Sequence, residues 1–334
     1  MTPFGKITVI KTFVILPFVH LFLTIPTCNQ FLKDLNMLLY NFLWNSKPDK
    51  INRETVSLNY FDGGLKMVNI FHFEKALKLS WLRKLYTGTT NSWYYLFLHT
   101  HDNFAKFLKL GVGWTKYFLK TVKNKFWQQV FENWITVQNH HTVRTNIDIM
   151  DSTIWYNTDI FKSDIYYPNW FKKGIHCIGD LVTCNGKFLS IEEIEQKFDL
   201  KVNFLYYNKV KYDISTFIET YKKGNNFQQN RPFIPHHLKI LIRSLPGSKD
   251  FYKLLNKKNK SKLPLCEQKW SKELNISPDS CDWFYLYKSC FKAVSEMNII
   301  WFQYKILFQI LDTKDYLCKV KLSNCNMCRF CKEE

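Results

Sequence analysis

The chain has 334 residues, with 47 Lys and Arg against 28 Asp and Glu, and a formal net charge of +19. Apolar residues make up 46% and aromatic residues 17% of the sequence, which excludes a globally disordered chain. The 11 glycines and 10 prolines are few for a β-sandwich or barrel with many tight turns. We predict a mainly α protein whose basic surface either binds phosphate backbones or only keeps the chain soluble.

The first apolar segment is Phe13–Ile25, which follows two lysines as the core of a signal peptide would. It is short for a membrane span, it contains Pro17 and His20, and no clean small-residue cleavage site follows it. We therefore predict a buried helix pair hinged at Pro17, with no membrane as a partner.

Two strongly periodic helical segments follow, at residues 29–44 and 70–86, and the Gly63-Gly64 pair between them is a turn signal. The apolar residues that recur at helical spacing, and that we expect to face the core, are Phe31, Leu35, Leu38 and Phe42 in the first segment and Ile70, Phe73, Leu77 and Trp81 in the second.

Residues 114–135 have the pattern of one basic amphipathic helix. Its lysines are Lys116, Lys120, Lys123 and Lys125, and they alternate with Phe118, Val122 and Phe126. The lysines form either a solvated face opposite the core or a helix that follows phosphates. The neighbouring Trp114 or Trp127 would stack an unpaired base in the second case and pack in the core in the first.

The rest of the chain contains weaker signals. Residues 145–170 are acidic and aromatic and are predicted to be a linker or domain boundary. Asn185-Gly186 between short apolar runs predicts a β-hairpin near residues 175–189, and Ser190 with Glu193 predicts a capping box that opens a short helix. Residues 298–311 again have strong helical spacing.

The sequence lacks the common signatures of catalytic sites. It contains no dinucleotide-binding or phosphate-binding glycine loop, no nucleophile elbow and no H-E-x-x-H motif. It also contains no Asp-Asp dipeptide, the carboxylate pair with which many polymerases hold catalytic Mg²⁺. We predict that this chain is not an enzyme.

Most of the ten cysteines are scattered singly, as in a reduced protein. The last three, Cys325, Cys328 and Cys331, form two overlapping C-x-x-C spacings, and Cys328 with Cys331 has the two-residue gap of a zinc half-site. A structural zinc site needs four ligands. Three readings stay open: a half-site that binds zinc only if the missing ligands are supplied, a four-thiolate site completed by Cys318, and unpaired thiols.

Five blocks of sequence occur in one order along the chain. They are Gly5–Lys11 with Leu16-Pro17, Phe42–Asn45 with Lys47 and Asp62–Met67, Ala76–Lys78 with Trp81-Leu82, Gly174–Asp180 with Gly186–Ser190, and Trp301–Leu307. Together they resemble the thumb and the regions after it in non-LTR (LINE-type) retrotransposon reverse transcriptases. Cys328 and Cys331 then stand where the first two ligands of that family's C-x-x-C…H…C knuckle belong.

The resemblance implies a multi-helix, thumb-like bundle followed by further helical units with one small β-hairpin. It divides the chain into a thumb-like segment (1–62), a helical post-thumb region (63–150), a linker with a middle region (151–262) and C-terminal helices with a truncated knuckle (263–334). The family's palm, with its Tyr/Phe-x-Asp-Asp motif, and its endonuclease have no counterpart here. The family's activity as an RNA-directed DNA polymerase therefore does not carry over to this chain.

The resemblance implies that this chain binds template–primer RNA and DNA through the phosphate backbone. The residues we expect to contact the phosphates are Lys6, Lys11, Lys116, Lys120, Lys123 and Lys125. The absent catalytic domain is an expected packing partner, and the localisation is nuclear or cytoplasmic, without secretion. The alternative is a structural relic or partial gene product with no activity of its own, in which Phe13–Ile25 is an uncovered apolar patch.

Overall fold

A computed structural model describes residues 1–88, 91–101, 104–107, 109–140, 149–183, 186–221, 247–256, 265–277, 280–292, 294–319, 321, 324–325 and 327. The protein is mainly α, as predicted. Its helices are α1 (Pro3–Val9), a π-helical segment (Ile10–Ile15), α2 (Leu16–Thr24), α3 (Asn29–Trp44), α4 (Arg53–Ser57), α5 (Ile70–Thr87), α6 (Ser92–Thr100), α7 (Phe104–Phe107), α8 (Val112–Thr121), α9 (Lys125–His140), α10 (Pro168–Lys172), α11 (Ile178–Leu181), α12 (Ile191–Phe198), α13 (Phe204–Tyr221), α14 (Lys249–Leu255), α15 (Leu265–Glu273), α16 (Trp283–Lys292), α17 (Met297–Leu307) and α18 (Lys314–Lys319).

The helices assemble into two compact units. The first unit combines residues 1–23, 27–74 and 256–334, so its helices come from both ends of the chain. The second unit comprises residues 24–26 and 75–255. The division into four functional segments stays a prediction.

The N-terminal apolar segment is a continuous helical stretch, so the predicted buried helix pair is wrong. Pro17 has no N–H to donate to a carbonyl of the preceding turn. The helix accommodates this missing hydrogen bond with the π-helical segment Ile10–Ile15 before Pro17, and it continues without a hinge. Phe13 is 75% exposed and Leu16 66% exposed. The 22-residue helix Pro3–Thr24 contains an 18-residue window with a mean hydropathy of 2.0, of which 22% is buried. By length and composition alone, this helix is long and apolar enough to cross a membrane.

Helix α3 has the predicted bounds, but of the four residues predicted to face the core only Leu35 does. Its buried leucines are Leu32, Leu35, Leu39 and Leu43, whereas Phe31, Leu38 and Phe42 are exposed. Both sets recur at intervals of three, four or seven residues, so each is a valid helical stripe. The choice between two apolar stripes depends on the neighbouring helices, which periodicity within α3 does not reveal.

Residues 114–135 form a helical hairpin, and the single helix predicted there is wrong. The chain leaves α8 at Val122 and enters α9 after Asn124, whose side-chain oxygen accepts from the Phe126 N–H at 2.9 Å. The buried Thr115 hydroxyl donates to the Gln138 side-chain oxygen at 3.1 Å, near the other end of the hairpin. This pairing fixes the two helices antiparallel.

Residues 149–170, predicted to be a linker, belong to the core of the second unit. Trp155 is fully buried, and its indole N–H donates to the Ile175 carbonyl at 2.6 Å. The Gly111 and Gly113 N–H groups donate to the carbonyls of Trp155 and Tyr156, each at 2.9 Å. A Cβ at Gly111 would lie 2.6 Å from the Tyr156 oxygen, so this glycine pair serves a close approach of two backbones.

The expected hairpin at residues 175–189 is reduced in the described part to one antiparallel bridge between Val182 and Phe188. Asn185, on which the prediction depended, lies outside the described residues. The capping box that follows is confirmed. The Glu193 N–H donates to the Ser190 hydroxyl at 3.2 Å, and the Ser190 N–H donates to the Glu193 carboxylate at 2.6 Å.

Candidate nucleic-acid interface

Lys6, a predicted phosphate contact, is a buried helix cap in the first unit. Its ammonium donates to the Phe42 carbonyl at 2.8 Å, to the Leu43 carbonyl at 3.1 Å and to the Asn45 side-chain oxygen. These groups close the C-terminal end of α3, where the helix dipole favours a positive charge. Burial lowers the pKa of this ammonium. Lys6 is therefore occupied within the fold and does not face a phosphate in this structure.

Lys11, the second predicted residue of this segment, lies half-buried beside another lysine. Burial lowers its pKa first, and the nearby Lys66 ammonium lowers it further. Lys66 itself lies over the Tyr60 ring, 4.3 Å from the centroid. Within the described residues, no carboxylate forms an ion pair with Lys11 or Lys66. Two uncompensated like charges form a place where an anion would relieve repulsion.

The other four predicted lysines run from the middle of α8 through the loop to the first residue of α9. We call Lys116, Lys120, Lys123 and Lys125 the basic turn; all four are exposed. In the part of the chain that the structure describes, none of them has a carboxylate partner. The sequence from residue 103 to residue 131 contains no Asp or Glu, so the hairpin end itself supplies no compensating charge.

Helix α8 has a carboxylate beside its first turn and lysines in its middle and last turn. The Asp164 carboxylate packs directly against Gly113 at the start of this helix, where the dipole favours a negative group. Lys116 and Lys120 follow towards its other end, one helical turn apart on one face. Lys120 lies in the last turn of α8, where the helix dipole favours a positive charge, and Lys116 lies one turn before it. The basic turn is therefore available to an external anion.

Of the two alternatives for Trp114 and Trp127, stacking a base or packing in the core, the structure shows packing for both. Trp114 is buried, and Trp127 packs against Phe97 and Phe131, with ring centroids 4.6 and 6.2 Å away. The exposed aromatic residue is Tyr117, 57% accessible and between two lysines of the basic turn in sequence. Its position directly after Lys116 in the sequence was a signal from which an exposed aromatic residue beside the lysines could have been predicted.

Part of the positive charge counted in the sequence is structural. In the second unit, Lys78 is fully buried; it donates to the Gln129 side-chain oxygen and lies 5.8 Å from the Phe126 ring centroid. The Arg83 guanidinium donates to the Gly247 carbonyl at 2.8 Å, and burial lowers its pKa. A count of lysines and arginines therefore overstates the charge that a ligand can reach.

The zinc prediction lies largely outside the described residues, since Cys328 and Cys331 both do. The structure has no group of three potential metal ligands among its described side chains. Of the described cysteines, Cys177, Cys266 and Cys290 are buried, Cys281 and Cys318 are partly buried, and Cys28 and Cys325 are exposed. A core position, expected for the singly spaced cysteines, is thus wrong for Cys28. Whether zinc binds when further ligands are supplied stays a prediction.

The first unit has a large exposed apolar surface. We call it the apolar face; it contains Phe13, Leu16, Leu21, Phe31, Leu38 and Phe42. The Phe18 ring joins its two helices, since it lies 5.7 Å from the Phe31 ring. Several large exposed apolar side chains on neighbouring helices are typical of a site where a partner or membrane packs.

Comparison with known proteins neither names nor contradicts a family: no family model matches the chain, and no curated protein matches it. The resemblance to non-LTR reverse transcriptases thus rests on the sequence blocks alone and stays a prediction. The structural case for an interface rests on the exposed basic turn, to which Lys11 and Lys66 add a smaller charged site.

Proposed function

We propose that the chain is a non-catalytic, nucleic-acid-binding piece of a protein like the non-LTR retrotransposon reverse transcriptases. It holds duplex RNA and DNA through the phosphate backbone without reading their sequence. The observation that carries this proposal is the basic turn, four exposed lysines that run from the middle of α8 to the start of α9 and have no carboxylate partner among the described residues. In this proposal the chain acts inside the cell, in the nucleus or the cytoplasm.

The chemistry of the basic turn suits backbone contacts. Lysine is a compact, strongly hydrated charge on a flexible stem, which neutralises phosphates without fixing a bidentate geometry. Backbone contacts position a nucleic acid and carry no sequence information directly. The chain has only six arginines, the residue that most often reads guanine in a groove. Sequence-independent binding therefore fits this surface better than base readout.

Lys116 and Lys120 project from one helical turn of α8, whereas Lys123 lies in the loop and Lys125 begins α9. The buried Thr115–Gln138 hydrogen bond holds the two helices together. The backbone positions of the four lysines are thus preset, and mainly the side chains lose freedom on binding. Preset geometry lowers the entropic cost of association.

A salt titration tests the proposal. The purified chain is titrated into a fluorescent RNA–DNA hybrid at several salt concentrations, and the slope of log affinity against log salt counts released counterions. The variant K116Q/K120Q/K123Q/K125Q should lower the slope by about 3, since each phosphate contact contributes about 0.7–0.9. The control K162Q/K172Q/K187Q/K253Q removes the same charge from four other exposed lysines of the second unit and should change the slope by less than about 1.

Two outcomes would contradict the proposal. If both quadruple variants lower the slope equally, the field of the whole surface binds the hybrid and the basic turn is not a site. If the unmodified chain does not bind at low salt, the positive charge is a passive surface.

The apolar face favours a second candidate, a structural relic that lacks its packing partner. In the resembled family that partner would be the catalytic domain, which we propose as the occupant of the apolar face. Under this candidate the purified chain aggregates, and the variant F13Q/L16Q/L38Q restores a monomer without hybrid binding. A monomeric unmodified chain that binds the hybrid would eliminate it.

A further inference from the structure

Helix α13 of the second unit has a core face and an outward face of unusual composition. The core face carries Tyr207, Val210, Ile214, Phe217 and Ile218, all buried. On the opposite side, Leu205 and Tyr212 are each 72% exposed, and Lys209 between them is also exposed. Large apolar side chains at such exposure are not explained by packing in this structure.

Helical geometry aligns these exposed residues. Leu205, Lys209 and Tyr212 stand at positions i, i+4 and i+7 and therefore form one stripe along the helix. Asn208 lies one turn before Tyr212 and adds an exposed amide. We call Leu205, Asn208, Lys209 and Tyr212 the α13 stripe.

The charge around the α13 stripe is positive. Residues 200–212 contain Lys201, Lys209 and Lys211, all exposed, and no Asp or Glu. The two carboxylates that precede this segment are already engaged: Asp199 pairs with Lys173 at 2.7 Å, and the Glu195 carboxylate accepts from the Val202 N–H at 2.8 Å. Asp213 directly follows Tyr212 and lies one turn after Lys209, so one carboxylate flanks the stripe beside the three lysines. Burial raises the pKa of the Tyr167 phenol, and Tyr206 and Asp213 raise it further.

A second feature beside the stripe shows that aromatic rings stack face to face here. The rings of Tyr206 and Tyr167 lie 4.3 Å apart at an interplanar angle of 15°, and Tyr206 remains partly exposed. Tyr206 lies in the first turn of α13, next to Leu205. One face of its ring is therefore occupied by Tyr167, at the end of α13 where the stripe begins.

We propose that the α13 stripe is a stacking platform for unpaired nucleotides, so that its partner is single-stranded RNA or DNA. Every base has a π-face that stacks on an aromatic ring regardless of sequence, and a lysine one turn away meets the adjoining phosphate. A protein partner that bound only apolar residues would gain nothing from Lys201, Lys209 and Lys211. The site uses different residues from the basic turn, and it rests on the proposed function only in that both bind nucleic acid.

The test compares single-stranded and duplex probes. A fluorescent uridine or thymidine oligonucleotide and the RNA–DNA hybrid are each titrated with the full chain. Tyr212→Ala should weaken single-strand binding about 5- to 100-fold, the effect of losing one stacked base, and leave hybrid binding within about twofold. The salt slope should not change, because no charge is removed.

Two matched variants support the comparison. Tyr212→Phe keeps the ring and should retain single-strand affinity. Tyr95→Ala removes another exposed tyrosine, 59% accessible, from α6 and should leave both affinities unchanged. Since Tyr212 and Tyr95 are surface residues, we expect both alanine variants to keep the circular dichroism spectrum of the unmodified chain.

The outcomes separate this inference from the proposed function. If the chain binds the hybrid but not the single strand, or if Tyr95→Ala and Tyr212→Ala act alike, the platform is wrong while the basic turn stands. If single-strand binding depends on Tyr212 but the hybrid does not bind, the platform stands and the proposed function fails. A surface that serves a protein partner would give no response to Tyr212→Ala with either probe, which also overturns the inference.

Discussion

Lys6 gives a sharp test of the structure, because its burial contradicts the expectation that it contacts phosphate. Replacement by Met keeps most of the length of the side chain and its contacts along the stem but removes the ammonium. The Phe42 and Leu43 carbonyls and the Asn45 side-chain oxygen then lose a charged donor at the end of α3.

The expected loss follows from the geometry. A hydrogen bond to a charged group contributes about 1.5–3 kcal/mol net, and a cation at a helix C-terminus contributes about 0.3–1 kcal/mol. Burial at 7% relative exposure leaves little screening by solvent. Since the bonds share one ammonium and are not additive, we expect Lys6→Met to lower the free energy of unfolding of the first unit by about 2–4 kcal/mol.

Urea denaturation followed by far-UV circular dichroism measures this difference. The control is Lys33→Met, the same replacement at an exposed position of α3, and it should change stability by less than about 0.5 kcal/mol. Hybrid binding by Lys6→Met should keep the salt slope of the unmodified chain. The reasoning is refuted if Lys6→Met is as stable as Lys33→Met, or if it retains its stability and loses about one counterion from the slope.

Two further predictions concern a turn and the thiols. Gly64→Ala should lower the free energy of unfolding of the first unit by about 3 kcal/mol or more, because the new Cβ would lie 2.7 Å from the Leu58 Cα and closer still to its carbonyl. Gly174→Ala is the control: with φ +98° and open space around it, it should lower the free energy of unfolding by only about 1–2 kcal/mol. Urea titrations of both variants measure the difference. Backbone N–H groups at the start of α3 lower the pKa of Cys28, whereas burial raises the pKa of Cys266 to about 11. Because the thiolate is the reactive form, alkylation at neutral pH should modify Cys28 first and Cys266 only on unfolding, as peptide mapping would show; equal rates would contradict this assignment.

The sequence predicted the helical class and the position of α5 and α17, because long periodic runs of apolar residues leave few alternatives. It also predicted the bounds of α3 but not most of its buried residues, because two apolar stripes compete there and only the tertiary neighbours decide between them. It also joined α8 to α9, because the amphipathic pattern continues across the turn. Asn124, a good N-cap residue, marked that break.

For the candidate site, local charge predicted the basic turn, since all four lysines lie within ten residues of one another. The burial of Lys6 at the end of α3 was not predictable from local charge. Its partners are the last carbonyls of a helix 36 and 37 residues further along, and nothing in the spacing of the lysines indicates that contact. Tyr212 was missed because a tyrosine within an apolar helix has the pattern of a core residue until its neighbours are known.

The discontinuity of the first unit has a consequence for synthesis on the ribosome. Gly63 accepts a hydrogen bond from Tyr304 at 2.8 Å, and Lys50 pairs with Asp312 at 2.8 Å, so residues from both ends of the chain complete one unit. The roughly 180 residues from 75 to 255 are made in between, which takes about 10–40 s at about 5–20 residues per second. During that interval the N-terminal helices of the nascent chain have been synthesised but their packing partners have not. Chaperones that bind exposed leucine and phenylalanine therefore have time to bind these helices.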